Sequence, residues 1–175
     1  LDVLGGTGNI ALGSGAMGTA LTTGTDNVAI GENALDAVTS GTDNTAVGDN
    51  AAGAVTTGGF NTAIGSDALL VNSTGTYNTA VGHGALDANT TASNNTAFGA
   101  TALSANTTGT ENTALGQSAL LALTTGNYNV AVGLQALKTI TTASNNTAVG
   151  YKALDVNTAS DNTAVGFDAL GANTT

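Results

Sequence analysis

The chain has no cysteine, no proline, no tryptophan and no arginine. The missing thiols exclude a disulfide framework and any thiolate metal site. Lys138 and Lys152 stand against 12 acidic residues, for a net charge of −10. Nucleic acid is therefore excluded as a partner class, because neutralising phosphates needs clustered cations. The longest aliphatic run, Ala119 to Leu123, falls far short of the roughly 20 apolar residues of a membrane span, so no membrane partner is expected for this segment. Aromatic residues are only 3% of the chain, and so few large side chains cannot fill a thick globular core. Small polar residues in such number suggest disorder, but 41% of the chain is hydrophobic and strictly spaced.

Ala, Thr, Gly and Asn make up 109 of the 175 residues, and they fall into an internal repeat. The pentapeptide Asn-x-Ala-(aliphatic or Phe)-Gly begins at Asn9, Asn27, Asn44, Asn61, Asn78, Asn95, Asn112, Asn129, Asn146 and Asn162. The steps are 18, then seven of 17, then 16. With each Asn as unit position 1, Ala at 3, Gly at 5 and Ala at 8 are invariant, and position 9 is Leu in eight units, Met17 and Ala52 being the exceptions. The consensus reads N-T-A-V-G-x-x-A-L-x-x-N-T-T-G-x-x. Residues 1–175 form a single repeat array. Leu1 and Asp2 align with Leu154 and Asp155, and Asn173, Thr174 and Thr175 stop inside the polar turn, so a fragment of a longer array is expected.

Asn-Thr-Ala-Val-Gly alternates at period two and carries β-branched residues. Gly at position 5 and Thr-Thr at positions 13 and 14 leave no uninterrupted stretch for a helix. The expected fold is all-β, a parallel β-solenoid or β-roll with one coil per repeat and about ten coils. Two short strands per coil are expected, near unit positions 1 to 5 and 8 to 12. Coils about 4.8 Å apart would make a rod roughly 50 Å long.

Each invariant column then has a physical reading. The Asn column (Asn44, Asn61, Asn78, Asn95, Asn112, Asn129, Asn146) can form an amide ladder or a repeated turn cap. The Gly column (Gly48, Gly65, Gly82, Gly99, Gly116, Gly133, Gly150) turns the chain with φ > 0. The Ala columns mark a close approach of backbone layers. Two aliphatic columns, Val47, Ile64, Val81, Phe98, Leu115, Val132, Val149 and Leu69, Leu86, Leu103, Leu120, Leu137, Leu154, are expected to form an apolar spine. Apolar residues at adjacent positions 8 and 9 would put apolar surface on both sides of a strand. One roll cannot bury both sides, so self-association, most simply a homotrimer, is expected.

Asn44 to Gly48 and Asn146 to Gly150 resemble the Asn-Ser-Val-Ala-Ile-Gly type repeat of trimeric autotransporter adhesin heads. The longer unit is similar to arrays in bacteriophage tail fibres and repetitive bacterial surface proteins. That resemblance covers the whole chain. It implies a left-handed β-roll, a homotrimer, and a place outside the cell, on a cell surface or on a virion.

The chain offers little chemistry. His83 is the single histidine and sits at variable unit position 6, the mark of an outward bend. Periodic Ser and Asp supply no unique catalytic constellation. Asp26 and Asp43, one coil apart at the last position before a unit Asn, pose the question of Ca²⁺. The calcium-binding glycine–aspartate repeat is absent, and a solvated acidic surface is the simpler reading. Gly5-Gly6-Thr7-Gly8 lacks the Lys and the helix of a phosphate loop. No cofactor, no metal and no catalytic residue is expected. Asn72, Asn89, Asn94, Asn106, Asn145 and Asn173 begin Asn-x-Ser/Thr sequences and are candidate glycosylation sites. The expected function is a structural or adhesive rod, partnered by itself laterally or end to end and by a host-surface receptor or glycan. The alternative is an ice- or surface-binding solenoid using its Thr columns.

Overall fold

The computed structural model describes residues 7–18 and 23–173. Leu1, Asp2, Gly5, Gly6, Thr174 and Thr175, on which the readings of the chain ends and the phosphate loop rest, lie outside the described residues. The protein is an all-β solenoid, and no helix occurs among the described residues. Its ten three-residue strands are Ile10–Leu12 (β1), Val28–Ile30 (β2), Thr45–Val47 (β3), Thr62–Ile64 (β4), Thr79–Val81 (β5), Thr96–Phe98 (β6), Thr113–Leu115 (β7), Val130–Val132 (β8), Thr147–Val149 (β9) and Thr163–Val165 (β10). They form one parallel sheet in sequence order. Identical unit positions face each other, as in Thr45↔Thr62, Ala46↔Ala63 and Val47↔Ile64. The register survives the 18-residue step (Ile10↔Val28) and the 16-residue step (Thr147↔Thr163), so the odd lengths are absorbed outside the strands.

The second expected strand, at unit positions 8 to 12, does not form. Instead the backbone reverses sign residue by residue. In the coil starting at Asn95, Thr101 has φ 54° and Leu103 has φ 54°, and the same two positions are left-handed in coil after coil. Rung-to-rung bonding persists through this arc. Leu103 N–H donates to Ala119 O at 2.9 Å and Thr107 N–H to Thr124 O at 2.9 Å, while Ala102 N–H closes a turn on Gly99 O at 3.2 Å. The physical reason lies in side-chain direction. On a strand, Ala at position 8 and Leu at position 9 would point to opposite faces. With position 9 left-handed both turn inward, and Ala102 and Leu103 are each fully buried. The two-sided apolar strand that called for a trimer therefore does not exist.

Magnitudes favour this backbone. The left-handed conformation costs a non-Gly residue about 1–2 kcal/mol, while burying a Leu contributes about 1.5–3 kcal/mol. It also explains residue choice. Position 9 holds Leu, Met17 or Ala52 and never Val, Ile or Thr, because a branched Cβ suits φ > 0 worst. The core consists of the Ala columns at positions 3 and 8, the Leu column at 9 and the mixed column at 12, which includes Val38, Val55, Leu123 and Ile140. The other half of the expected spine is displaced. Ile64, Phe98 and Leu115 are 40%, 53% and 43% exposed, with Val47, Val81, Val132 and Val149 half-buried. They share the outer sheet face with unit position 2, since the inward side of each strand is taken by Ala.

The Asn column is both ladder and cap. Each unit Asn N–H from Asn27 to Asn162 donates to the Oδ1 of the preceding unit Asn at 3.0–3.1 Å. From Asn27 to Asn129 the Nδ2 donates across its own coil to the bend, as Asn44 does to Gly58 O at 2.9 Å and Asn95 to Gly109 O at 2.8 Å. The Gly column has φ of 129–138° from Gly31 to Gly166. A Cβ on Gly99 would lie 2.6 Å from the Gly116 carbonyl carbon, so even an uncomplaining backbone would leave no room.

Two substitutions test these accounts. Asn95→Ala would orphan the buried Asn112 N–H, while Gly109 O keeps the Asn106 Nδ2 donor, a loss of about 1–3 kcal/mol visible as a lower urea midpoint. Leu103→Met should cost under about 1.5 kcal/mol, as volume-conserving swaps do. Leu103→Ile, branched at a φ of 54°, should lose clearly more than the Met variant; equal losses would refute the conformational account.

Candidate functional site

The exterior is a set of parallel columns, and its concave features are shallow. One open groove of about 530 Å³ is lined by Asn33, Asp36, Ala37, Asn50, Gly53, Ala54, Leu70 and Val71. It exists because Ala37, Gly53 and Ala54 are small where Leu70 and Val71 follow. Asp36 is its single charged group, and no nucleophile–base pair lines it.

His83 is exposed, as its place on a bend suggests, and its Nε2 lies 3.9 Å from Asp67 Oδ2. Ser66 Oγ donates to the same carboxylate, to Oδ2 at 3.2 Å. Ser, His and Asp therefore meet here, but the serine bonds the acid and not the imidazole, the reverse of a nucleophile–base arrangement. Burial pushes the Asp87 carboxyl above its usual 3.8, backbone N–H groups of Ala88 and Asp87 pull it back, Asp67 adds to the rise and His83 opposes it. Asp26 and Asp43 are exposed, and no group of three His, Cys, Asp or Glu poised for a metal occurs among the described residues.

The glycosylation candidates divide sharply. Asn72, Asn89 and Asn106 are fully buried, so the folded coil has no room for a sugar on them. They form a second amide ladder instead. Asn89 Nδ2 donates to Asn72 Oδ1 at 2.9 Å, and Asn106 Nδ2 to Asn89 Oδ1 at 3.1 Å. The ladder stops where Leu123 takes the column, leaving Asn106 Oδ1 buried without a partner. Asn173 is half-buried and donates to Asn157 Oδ1 at 3.1 Å. Only Asn94 and Asn145 are exposed, both at the bend before a unit Asn.

The Thr pairs likewise split. At position 13 the hydroxyls of Thr56, Thr90, Thr107 and Thr124 donate to the carbonyl of the residue one coil on, at 2.9–3.1 Å. Position 14, with Thr57, Thr74, Thr91, Thr108 and Thr125, is the exposed rank. The position-13 hydroxyls are thus held on the backbone, although Thr90 of that rank is itself exposed.

Two features escaped the repeat-based reading. All six aromatic residues are 39–77% exposed. Phe60 and Tyr77 stack between adjacent coils, 4.9 Å apart and 6° from parallel, and Tyr151 stacks on Phe167 at 5.2 Å. Their signal in the sequence was aromatic residues one repeat apart. The other feature is the outer sheet face itself. Unit positions 2 and 4 of ten strands bear Thr, Val, Ile, Leu and Phe and no ionisable group.

Comparison of the chain with family models, curated proteins and solved structures found no match. No helix among the described residues is long and apolar enough to cross a membrane. The coil geometry and its outer columns are thus the whole basis for a functional reading.

A raised carboxyl pKa has a testable sign. The folded state holds a proton on Asp87 more tightly than the unfolded state does, so its contribution is present below pH 3.8 and lost as pH rises through the raised value. Asp87→Asn should therefore melt higher than the parent at pH 7, and the advantage should vanish in acid. An unchanged difference across that range would refute it.

Proposed function

We propose that this chain is a length of passive rod in an extracellular fibre or filament, such as an adhesin head or a tail-fibre shaft, and that it performs no catalysis. The observation that carries this reading is the strict neighbour order of the sheet, β1 through β10 without a crossover. Every buried polar column, Asn at position 1 and Asn72, Asn89 and Asn106 at position 12, bonds to the adjacent coil. Such a stack carries load along one axis and can lengthen by adding units without redesign. The resemblance of Asn-Thr-Ala-Val-Gly to adhesin-head repeats supports the same reading. So does the scarcity of chemistry: one exposed His, no close cluster of metal-ligating groups among the described residues, and acidic groups spread over the bends.

In this reading the mechanism is mechanical. Stacked backbone and amide hydrogen bonds give stiffness, and the variable bends display side chains outward. A receptor or surface glycan of the host would meet the exposed Thr rank at position 14 and the aromatic residues Phe60, Tyr77 and Tyr128. Assembly partners are further copies of the chain.

The rod reading makes a length prediction. Deleting residues 78–94, one whole unit, joins Tyr77 to Asn95 in repeat register. The particle should stay folded and shorten by about 4.8 Å in small-angle scattering. Deleting residues 78–85 breaks the register and should unfold the array locally or wholly. Equal damage from both deletions would overturn the reading.

A further inference from the structure

The outer sheet face has a charge pattern that the repeat does not require. Among the described residues, every Asp, Glu, Lys and His lies at unit positions 6, 7 or 10, or directly before a unit Asn. Positions 2 and 4 carry none in any of the ten coils, and position 4 is apolar in all ten. Phe98, Leu115 and Ile64 are 53%, 43% and 40% exposed there, and Leu12 and Val165, at the two ends, 66% and 69%. Strands about 4.8 Å apart make this a strip roughly 48 Å long and about 10 Å wide. Apolar surface that runs on continuously, rather than as scattered single residues, marks an interaction surface.

Two properties of the chain select the occupant. Copies bearing a net charge of −10 repel one another, and this strip carries no carboxylate itself, so two of them meet there with their acidic groups kept to the rim of the contact. The strip also repeats once per coil. A partner stays in step with it over ten coils only if its own rise is the same, and a second copy of this chain meets that condition by identity. The geometry points to an isologous pair, two copies packed outer sheet face on outer sheet face, each contributing the same side chains. One flat strip admits one partner face, so the assembly is a dimer and not the trimer that the repeat resembles. The inference rests on the rod reading, because the strip exists only while the coils stack.

Size sets the strength. The strip offers on the order of 500 Å² per copy, below the roughly 800 Å² per partner of a standard interface. Ten coils therefore pair reversibly, and longer arrays pair more tightly in proportion to coil number.

Sedimentation equilibrium of the chain tests this. The parent should show a concentration-dependent monomer–dimer equilibrium. The triple variant Ile64→Thr, Val81→Thr and Leu115→Thr keeps a residue type already present on that face and should weaken the dimer at least tenfold. Ile64→Glu, Val81→Glu and Leu115→Glu should abolish it. The control Thr74→Glu, Thr91→Glu and Thr125→Glu adds the same charge to the exposed rank at position 14 and should leave the dimer within about threefold of the parent. A parent that stays monomeric to about 1 mM, a trimer mass, or equal loss in the control would overturn the proposal. So would thermal hysteresis by a monomeric parent, which would assign the strip to ice. Scattering of the parent separates the two readings: a rod that does not pair sinks the dimer alone, and a particle that is not a rod sinks both.

Discussion

The unit Asn holds the coil together in two directions at once. Its Oδ1 receives the backbone N–H of the next Asn along the rod, and its Nδ2 reaches the bend carbonyl of its own coil. A buried amide in this position has no water to fall back on, so each group must be met by the neighbouring repeat. That is why identity at position 1 is complete across ten units while position 6 accepts Asp49, Ser66, His83, Ala100, Gln117, Leu134, Tyr151 and Phe167. The same logic governs the second ladder. Asn at position 12 comes in runs, Asn72, Asn89, Asn106 and then Asn157, Asn173, separated by Leu123 and Ile140. The Nδ2 of Asn72, Asn89 and Asn106 also reaches the bend carbonyl of its own coil, but the Oδ1 depends on the next Asn, so that run leaves only its last oxygen, Asn106 Oδ1, without a partner.

The backbone arc from Gly99 to Asn106 shows how a thin interior is filled with few large groups. Alternating right- and left-handed residues bring adjacent Ala102 and Leu103 to the same side. The conformational penalty at Leu is of the same size as the burial it secures, about 1–2 against about 1.5–3 kcal/mol. The margin per coil is small, and stability comes from repetition along the stack. Consistent with that, the bend before each unit Asn is left-handed whether it holds Asp43, Phe60, Tyr77, Asn94 or Glu111. Asp and Asn tolerate this region readily, whereas Phe60 and Tyr77 recover part of the cost by stacking on each other.

Surface properties follow from which positions the fold turns outward. An interior built from Ala, Leu and Asn leaves Val, Ile, Leu and Phe at position 4 on the outside of the sheet, next to a column of Thr. Acidic groups gather on the bends, including those that border the strip at Glu32, Asp49, Asp43 and Glu111. A rod of this kind carries a neutral apolar strip bordered by charged bends, the contrast on which the proposed pairing of copies rests.

The repeat period, the parallel stacking, the Asn ladder and the left-handed glycines were all legible in the sequence, because each depends on identity between units one period apart. Asn44, Asn61 and Gly48, Gly65 recur at the same step that pairs the strands. What happens between the columns was not legible. One coil per repeat suggested a second strand at positions 8 to 12, yet residue type does not report the sign of φ, and there the sign alternates. Whether Ile64 or Ala63 faces inward is likewise decided only when the coil closes, by how much room lies between the sheet and the opposing arc. That space admits a methyl group and no more, so Ala is enclosed and the larger side chain is left on the surface. Sequons such as Asn72 and Asn94 look alike in the chain, and the closed coil buries one and exposes the other.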